Sequence, residues 1–128
     1  MIYLDTSVAL AQLFGEHRQP PASLWQETLI SSRLFEYELW TRVHARKLSV
    51  DHQEAARRLL ERLALLELTP DVLARACEPL PVVVRTLDAL HLASLLFLRD
   101  QQQDVVLASY DERQLAAAQK LGVEVWSS

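Results

Sequence analysis

The sequence predicts an α/β domain with a mainly parallel sheet and helices on both faces, and three observations predict it. Short apolar runs alternate with stretches of helical spacing along the whole chain. The runs and helices meet at capping chemistry, as in Asp5-Thr6-Ser7, Thr69-Pro70 and Asp111. Half of the 128 residues are apolar and 23% are charged, enough for one buried core and too apolar for a disordered chain.

Each element has its own signal. Ile2-Tyr3-Leu4 reads as a buried strand, capped by Asp5 and followed by a helix over Val8 to Phe14 that Gly15 stops. Pro20-Pro21 opens a second short helix, because proline in a first turn loses no hydrogen bond. Leu29-Ile30-Ser31-Ser32 reads as a second strand. Phe35, Leu39 and Val43 then recur at helical spacing up to about Leu48. Asp51-His52-Gln53-Glu54 has capping-box form and opens a helix expected to run through Leu66, with Leu66-Glu67-Leu68 as the third strand. Thr69-Pro70 starts a short helix towards Cys77, and Pro79 and Pro81 break it. Thr86 is expected to cap a helix from Leu87 to about Asp100 that is apolar on nearly every side and so should cross the core. Asp104 to Ala108 is a fourth strand. Asp111 caps a helix to Leu121, Gly122 stops it, and Val123-Glu124-Val125-Trp126 closes the sheet. Strands separated by helices run parallel, which puts a ligand site off their carboxyl ends. Residues 1–128 read as a single domain.

Composition removes several classes of function. Gly15 and Gly122 are the only glycines, so no glycine-rich phosphate cradle can form. A lone cysteine, Cys77, excludes an internal disulfide and a cysteine-based zinc cluster, and fits a reducing compartment. A net charge of -4 argues against gripping nucleic acid through bulk positive charge. The opening residues lack a basic stretch and carry Asp5 where a signal peptide would be apolar. Leu87 to Leu98 is too short to span a bilayer and contains Asp88 and His91. A cytoplasmic protein is the expectation.

Four carboxylates stand out. Asp5 and Asp111 each follow a strand and begin a helix, at positions that open on the same sheet edge. Both also serve as N-caps, and capping leaves a second oxygen for other work. Asp88 lies on an otherwise apolar helix. It is either a first-turn acid favoured by the helix dipole or a buried charge that needs compensation. His91 shares its face, as a hydrogen-bonded core histidine or as a ligand. Glu38, inside a helix, is either solvated or turned to the sheet edge, with Glu36 facing the other way. Four converging acids would repel one another unless a cation neutralised them, and an all-oxygen set suits Mg²⁺ or Mn²⁺.

Tyr3-Leu4-Asp5-Thr6-Ser7, Ser32 with Glu38, Thr86-Leu87-Asp88-Ala89-Leu90-His91-Leu92-Ala93 and Ser109-Tyr110-Asp111-Glu112-Arg113 together resemble the PIN-domain family, and within it the VapC toxins of type II toxin–antitoxin pairs. The likeness covers essentially the whole chain. It implies a three-layer α/β/α fold and a metal-dependent endoribonuclease using Mg²⁺ or Mn²⁺. It carries catalytic, metal-holding roles onto Asp5, Glu38, Asp88 and Asp111, with Thr6, Ser7 and Ser109 orienting them. In-line attack would leave a 5′-phosphate and a 3′-hydroxyl. The resemblance also implies an RNA substrate, a VapB-like antitoxin and a homodimer. Trp25, Trp40 and the Leu59-Leu60-Leu63 stripe could serve such surfaces or simply pack in the core. An acidic pocket must borrow cations to hold RNA, and Arg42, Arg46 and Lys47 beyond Glu38 are the first candidates. Competing readings are a housekeeping PIN nuclease without an antitoxin, a receiver-like phosphoacceptor module, for which Lys47 and Lys120 are badly placed, and a catalytically silent binding module.

Overall fold

A computed structural model describes residues 1–47 and 50–127. The alternation expected from the sequence is present. In chain order the elements are β1 (Ile2–Leu4), α1 (Thr6–Phe14), a 3₁₀ turn (Ala22–Gln26), β2 (Leu29–Ser32), α2 (Arg33–Ala45), α3 (Val50–Glu61), β3 (Leu63–Leu66), α4 (Pro70–Ala76), α5 (Thr86–Asp100), β4 (Val106–Ala108) and α6 (Glu112–Lys120). The four strands are parallel, in the order β3-β2-β1-β4.

Period-two alternation along each strand creates the layers. Ile2 and Leu4 join Leu29 and Ala108 in one apolar cluster with Val8 and Ala9 of α1, Phe35, Leu39 and Val43 of α2, and Ala56 and Leu59 of α3. Tyr3 and Leu107 point the other way, into a second cluster with Leu95, Leu96 and Leu98 of α5 and Ala118 of α6. The result is the three-layer α/β/α arrangement. As expected, α5 crosses the core, with Leu92, Leu95 and Leu96 essentially buried. Trp25, Trp40, Leu60 and Leu63 pack partly buried against the first cluster, so core packing accounts for much of each of them. No helix among the described residues is long and apolar enough to cross a membrane.

Several boundaries differ from the expectations. The helix expected to continue through Leu66 stops at Glu61, and the third strand is Leu63–Leu66 rather than Leu66 to Leu68. Leu63-Ala64-Leu65-Leu66 is an unbroken apolar run that suits either conformation, and pairing along all of β2 decides for the strand. Asp51 lies in the first turn of α3, which already includes Val50, instead of capping it. The helix read up to Leu48 ends at Ala45, and Leu48 lies outside the described residues. Thr86 is the first helical residue of α5 instead of its cap, because the Arg85 carbonyl already accepts from the Ala89 amide. The closing strand is reduced to one parallel bridge between Val125 and Leu107.

The two glycines stand where left-handed backbone is needed. Gly15, at φ +61°, ends α1 and returns its N–H to the Ala11 carbonyl. Gly122, at φ +70°, follows α6.

Candidate active site

The strand order has a reversal beside β1. Chain order runs outward through β2 and β3 on one side, then returns by way of α4 and α5 to β4 on the other side. Such a reversal leaves a crevice at the carboxyl ends of the strands. A cleft of about 460 Å³ opens there, lined by Asp5, Glu38, Asp88 and Asp111 together with Thr6, Ser7, Leu10, Tyr37, Thr41, Arg42, Arg85, Thr86 and Leu87. Four acids spread over more than a hundred residues of sequence therefore face one space.

Each is placed by local chemistry. Asp5 follows β1 directly, is 7% exposed, and binds its N–H to the Ala108 carbonyl at 2.9 Å. Its Oδ2 accepts from the Ser7 amide at 3.3 Å, the Ser7 hydroxyl at 2.5 Å and the Ser109 hydroxyl at 3.0 Å. Ser7 Oγ also accepts from the Tyr110 amide, and Ser109 Oγ from the Asp111 amide, each at 3.0 Å. These two serines thus tie the end of β1 to the end of β4, with Ser109 behind Asp5 and outside the lining. Asp111 caps α6, its Oδ1 accepting from the amides of Arg113 and Gln114 at 2.9 and 3.3 Å.

Glu38 comes from the middle of α2, a helix that starts at the end of β2 because Ser32 Oγ caps it through the Leu34 amide. Glu38 Oε1 accepts from Thr6 Oγ1 at 3.0 Å and lies 2.5 Å from His91 Nε2. Glu36, two positions earlier, turns away and pairs with Arg33 at the surface. His91 is a buried, hydrogen-bonded histidine; its Nδ1 is 2.7 Å from the Tyr3 hydroxyl. Burial holds that phenol protonated far above its ordinary range.

One regularity joins three of the acids. Asp5, Glu38 and Asp111 each commit one oxygen to protein donors and leave the other without one among the described residues. That is the donor set a hard divalent ion takes. Among the described residues, no group of three or more His, Cys, Asp or Glu side chains stands so that it could hold a metal ion by itself. Mg²⁺ tolerates such openness, since it keeps several waters and is commonly held by one or two carboxylates together with substrate phosphate. The residues fit the group on these grounds.

Asp88, in the first turn of α5, shows the electrostatic cost of the arrangement. Partial burial, then the charges of Asp111 and Asp5, push its carboxyl above the ordinary carboxylate range; His91 opposes the rise and Glu38 adds a little to it. With the folded value raised, this group favours folding most below its unfolded pKa and loses that contribution as pH rises through the folded value. In EDTA, therefore, the wild type should lose stability relative to Asp88→Asn as pH rises through the acid range. The difference should be at most about 1 kcal/mol, because the side chain is partly solvated. Thermal melts of both proteins from pH 4 to 7 check this, and parallel curves would refute it.

The basic candidates divide. Arg42 lines the cleft. The Arg46 guanidinium stacks 4.0 Å from the centre of the Phe14 ring, and Lys47 sits just past the end of α2 at φ +51°; neither lines the cleft. Arg85 does line it and was not singled out by the sequence, although it immediately precedes Thr86-Leu87-Asp88. Tyr37, 64% exposed beside Glu38, is a second missed lining residue. Its place next to the acid was the available signal.

A parallel sheet with acids gathered at its switch point defines a class of α/β domain, and comparison with known proteins specifies it. The family description "PIN domain" matches residues 2–121. Ribonuclease VapC47 of Mycobacterium tuberculosis (strain CDC 1551 / Oshkosh) is 33% identical over 129 aligned residues, which cover 95% of this chain and 93% of that protein. The chain belongs to the PIN-domain family, and its nearly full-length likeness to VapC47 sets it with the VapC-type members of that family.

Proposed function

We propose that this VapC-type protein is an endoribonuclease that hydrolyses RNA phosphodiester bonds with Mg²⁺ or Mn²⁺ at the cleft, and that it is the toxin of a toxin–antitoxin pair. The observation that carries the reading is the convergence of Asp5, Glu38, Asp88 and Asp111 on one cleft with an uncommitted oxygen on three of them. The name of VapC47 supports the ribonuclease part.

In this reading the four acids would hold the ion between them, some directly and some through its waters, and the bound ion would lower the pKa of water and take up charge on the scissile phosphate. Ser7 and Ser109 hold one oxygen of Asp5 and leave the other free for the ion, and Thr6 does the same for Glu38. Arg42 and Arg85, which pair with no carboxylate among the described residues, supply the positive charge that receives the RNA backbone. Tyr37 offers an exposed ring on which an unpaired base can stack. This reading needs no side-chain nucleophile; the hydroxyls of Ser7 and Ser109 serve to hold Asp5 in place.

Incubation with RNA in Mg²⁺ or Mn²⁺ should give fragments bearing 5′-phosphates, identified by sequencing their 5′ ends, and EDTA should stop the reaction. Undiminished cleavage in EDTA would overturn the reading. Growth arrest on expression, relieved by the neighbouring small gene, separates the toxin from a housekeeping nuclease.

A further inference from the structure

The chain Tyr3–His91–Glu38 is a polar connection through an otherwise apolar interior. Tyr3 is 1% and His91 2% exposed, and they come from the inner strand β1 and from the buried face of α5. Their rings meet edge to face, 5.8 Å apart at 80°. A buried imidazole requires partners for both nitrogens, and both have one: the Tyr3 hydroxyl at 2.7 Å and Glu38 Oε1 at 2.5 Å. An ionised Glu38 only accepts, so His91 Nε2 donates to it. In a neutral ring Nδ1 is then the acceptor, and Tyr3 donates. Three elements, β1, α5 and α2, thus converge on one carboxylate oxygen, which Thr6 also engages.

We propose that Tyr3 and His91 are positioning residues for Glu38: together they hold Oε1, so that Oε2 is the oxygen presented to a divalent ion. Neither touches the reacting atoms in this scheme. The inference rests on the reading of Glu38 as a metal-holding residue. Its physical content is that a carboxylate fixed by an outer partner binds metal better than one free to rotate, because less side-chain freedom is lost on binding.

The test is titration of Mn²⁺ alone, without RNA, into the full chain by calorimetry. Tyr3→Phe keeps the buried ring and removes only the hydroxyl, two bonds' reach from Glu38 through His91. It should weaken Mn²⁺ binding about three- to tenfold, and His91→Leu about 10- to 100-fold. His91→Gln, whose amide can still donate to Glu38, should recover most of the loss. In a Glu38→Gln background, Tyr3→Phe should have no further effect, since a residue acting through Glu38 has nothing left to act on. Should His91→Leu not fold, Tyr3→Phe in the two backgrounds still decides. Wild-type affinity in Tyr3→Phe, with Glu38→Gln weakened, overturns the positioning role and leaves the metal reading standing. Equal losses in both backgrounds overturn it as well, by showing general loosening. Wild-type affinity in Glu38→Gln itself removes Glu38 from the metal and the inference with it.

Discussion

Asp5→Asn is expected to cut metal-dependent RNA cleavage by about a thousandfold, on the order of 4 kcal/mol of transition-state stabilisation, while the protein stays folded. The asparagine carbonyl can accept the hydrogen bonds that Ser7 and Ser109 now give to Oδ2, and asparagine caps helices as well as aspartate does. The change falls on the other position, where an amide N–H₂ replaces an uncommitted oxygen and repels a cation. Asp88→Asn should be equally inactive, yet at least as stable as wild type without metal, because it removes a carboxylate whose charge is opposed by partial burial and then by Asp111 and Asp5. Loss of activity with stability unchanged or increased separates a chemical role from a structural one. Cleavage assays beside thermal melts check both variants, and full activity in both would refute the mechanism.

Phe35→Ala should cost about 3–5 kcal/mol of folding stability, a large part of the roughly 5–15 kcal/mol available to a domain. Phe35 is fully buried in the cluster between the sheet and α1 to α3, and its loss leaves a cavity that β1 and β2 cannot collapse to fill. It also lies one turn before Glu38, so the helix that presents the acid loses one of its buried anchors to the sheet. Denaturant titration should show the midpoint fall, with a melting temperature lower by on the order of 10–20 °C. A cost below about 1 kcal/mol would mean that α2 is held by something other than this packing.

Much of this arrangement is legible in the residues. Asp5 and Asp111 can be found because a short apolar run, a capping acid and a helix form a local pattern, and the parallel sheet then brings both to one edge. Glu38 is a different case. Helical spacing shows that α2 exists but not which of its faces meets a helix 50 residues later, so the residues left Glu38 open between solvent and sheet edge and the resemblance alone gave it a role. The contact between His91 and Glu38 was invisible for the same reason. Among the basic residues, Arg42 shares Glu38's face at four residues' spacing, whereas α2 ends at Ala45, before Arg46 and Lys47 could continue that face. The third strand was misplaced because an unbroken apolar run carries no period, and its partner strand, not its own sequence, settles its conformation.

The seam between β1 and β4 has a consequence for the order in which the molecule comes into being. Asp5 leaves the ribosome first, and the hydroxyl of Ser109 that orients it and the acid of Asp111 emerge 104 and 106 positions later. Translation proceeds at about 5–20 residues per second, so several seconds separate the first acid from the last. A growing chain therefore carries its acids unassembled, and the full set closes only once the segment through Asp111 has been made.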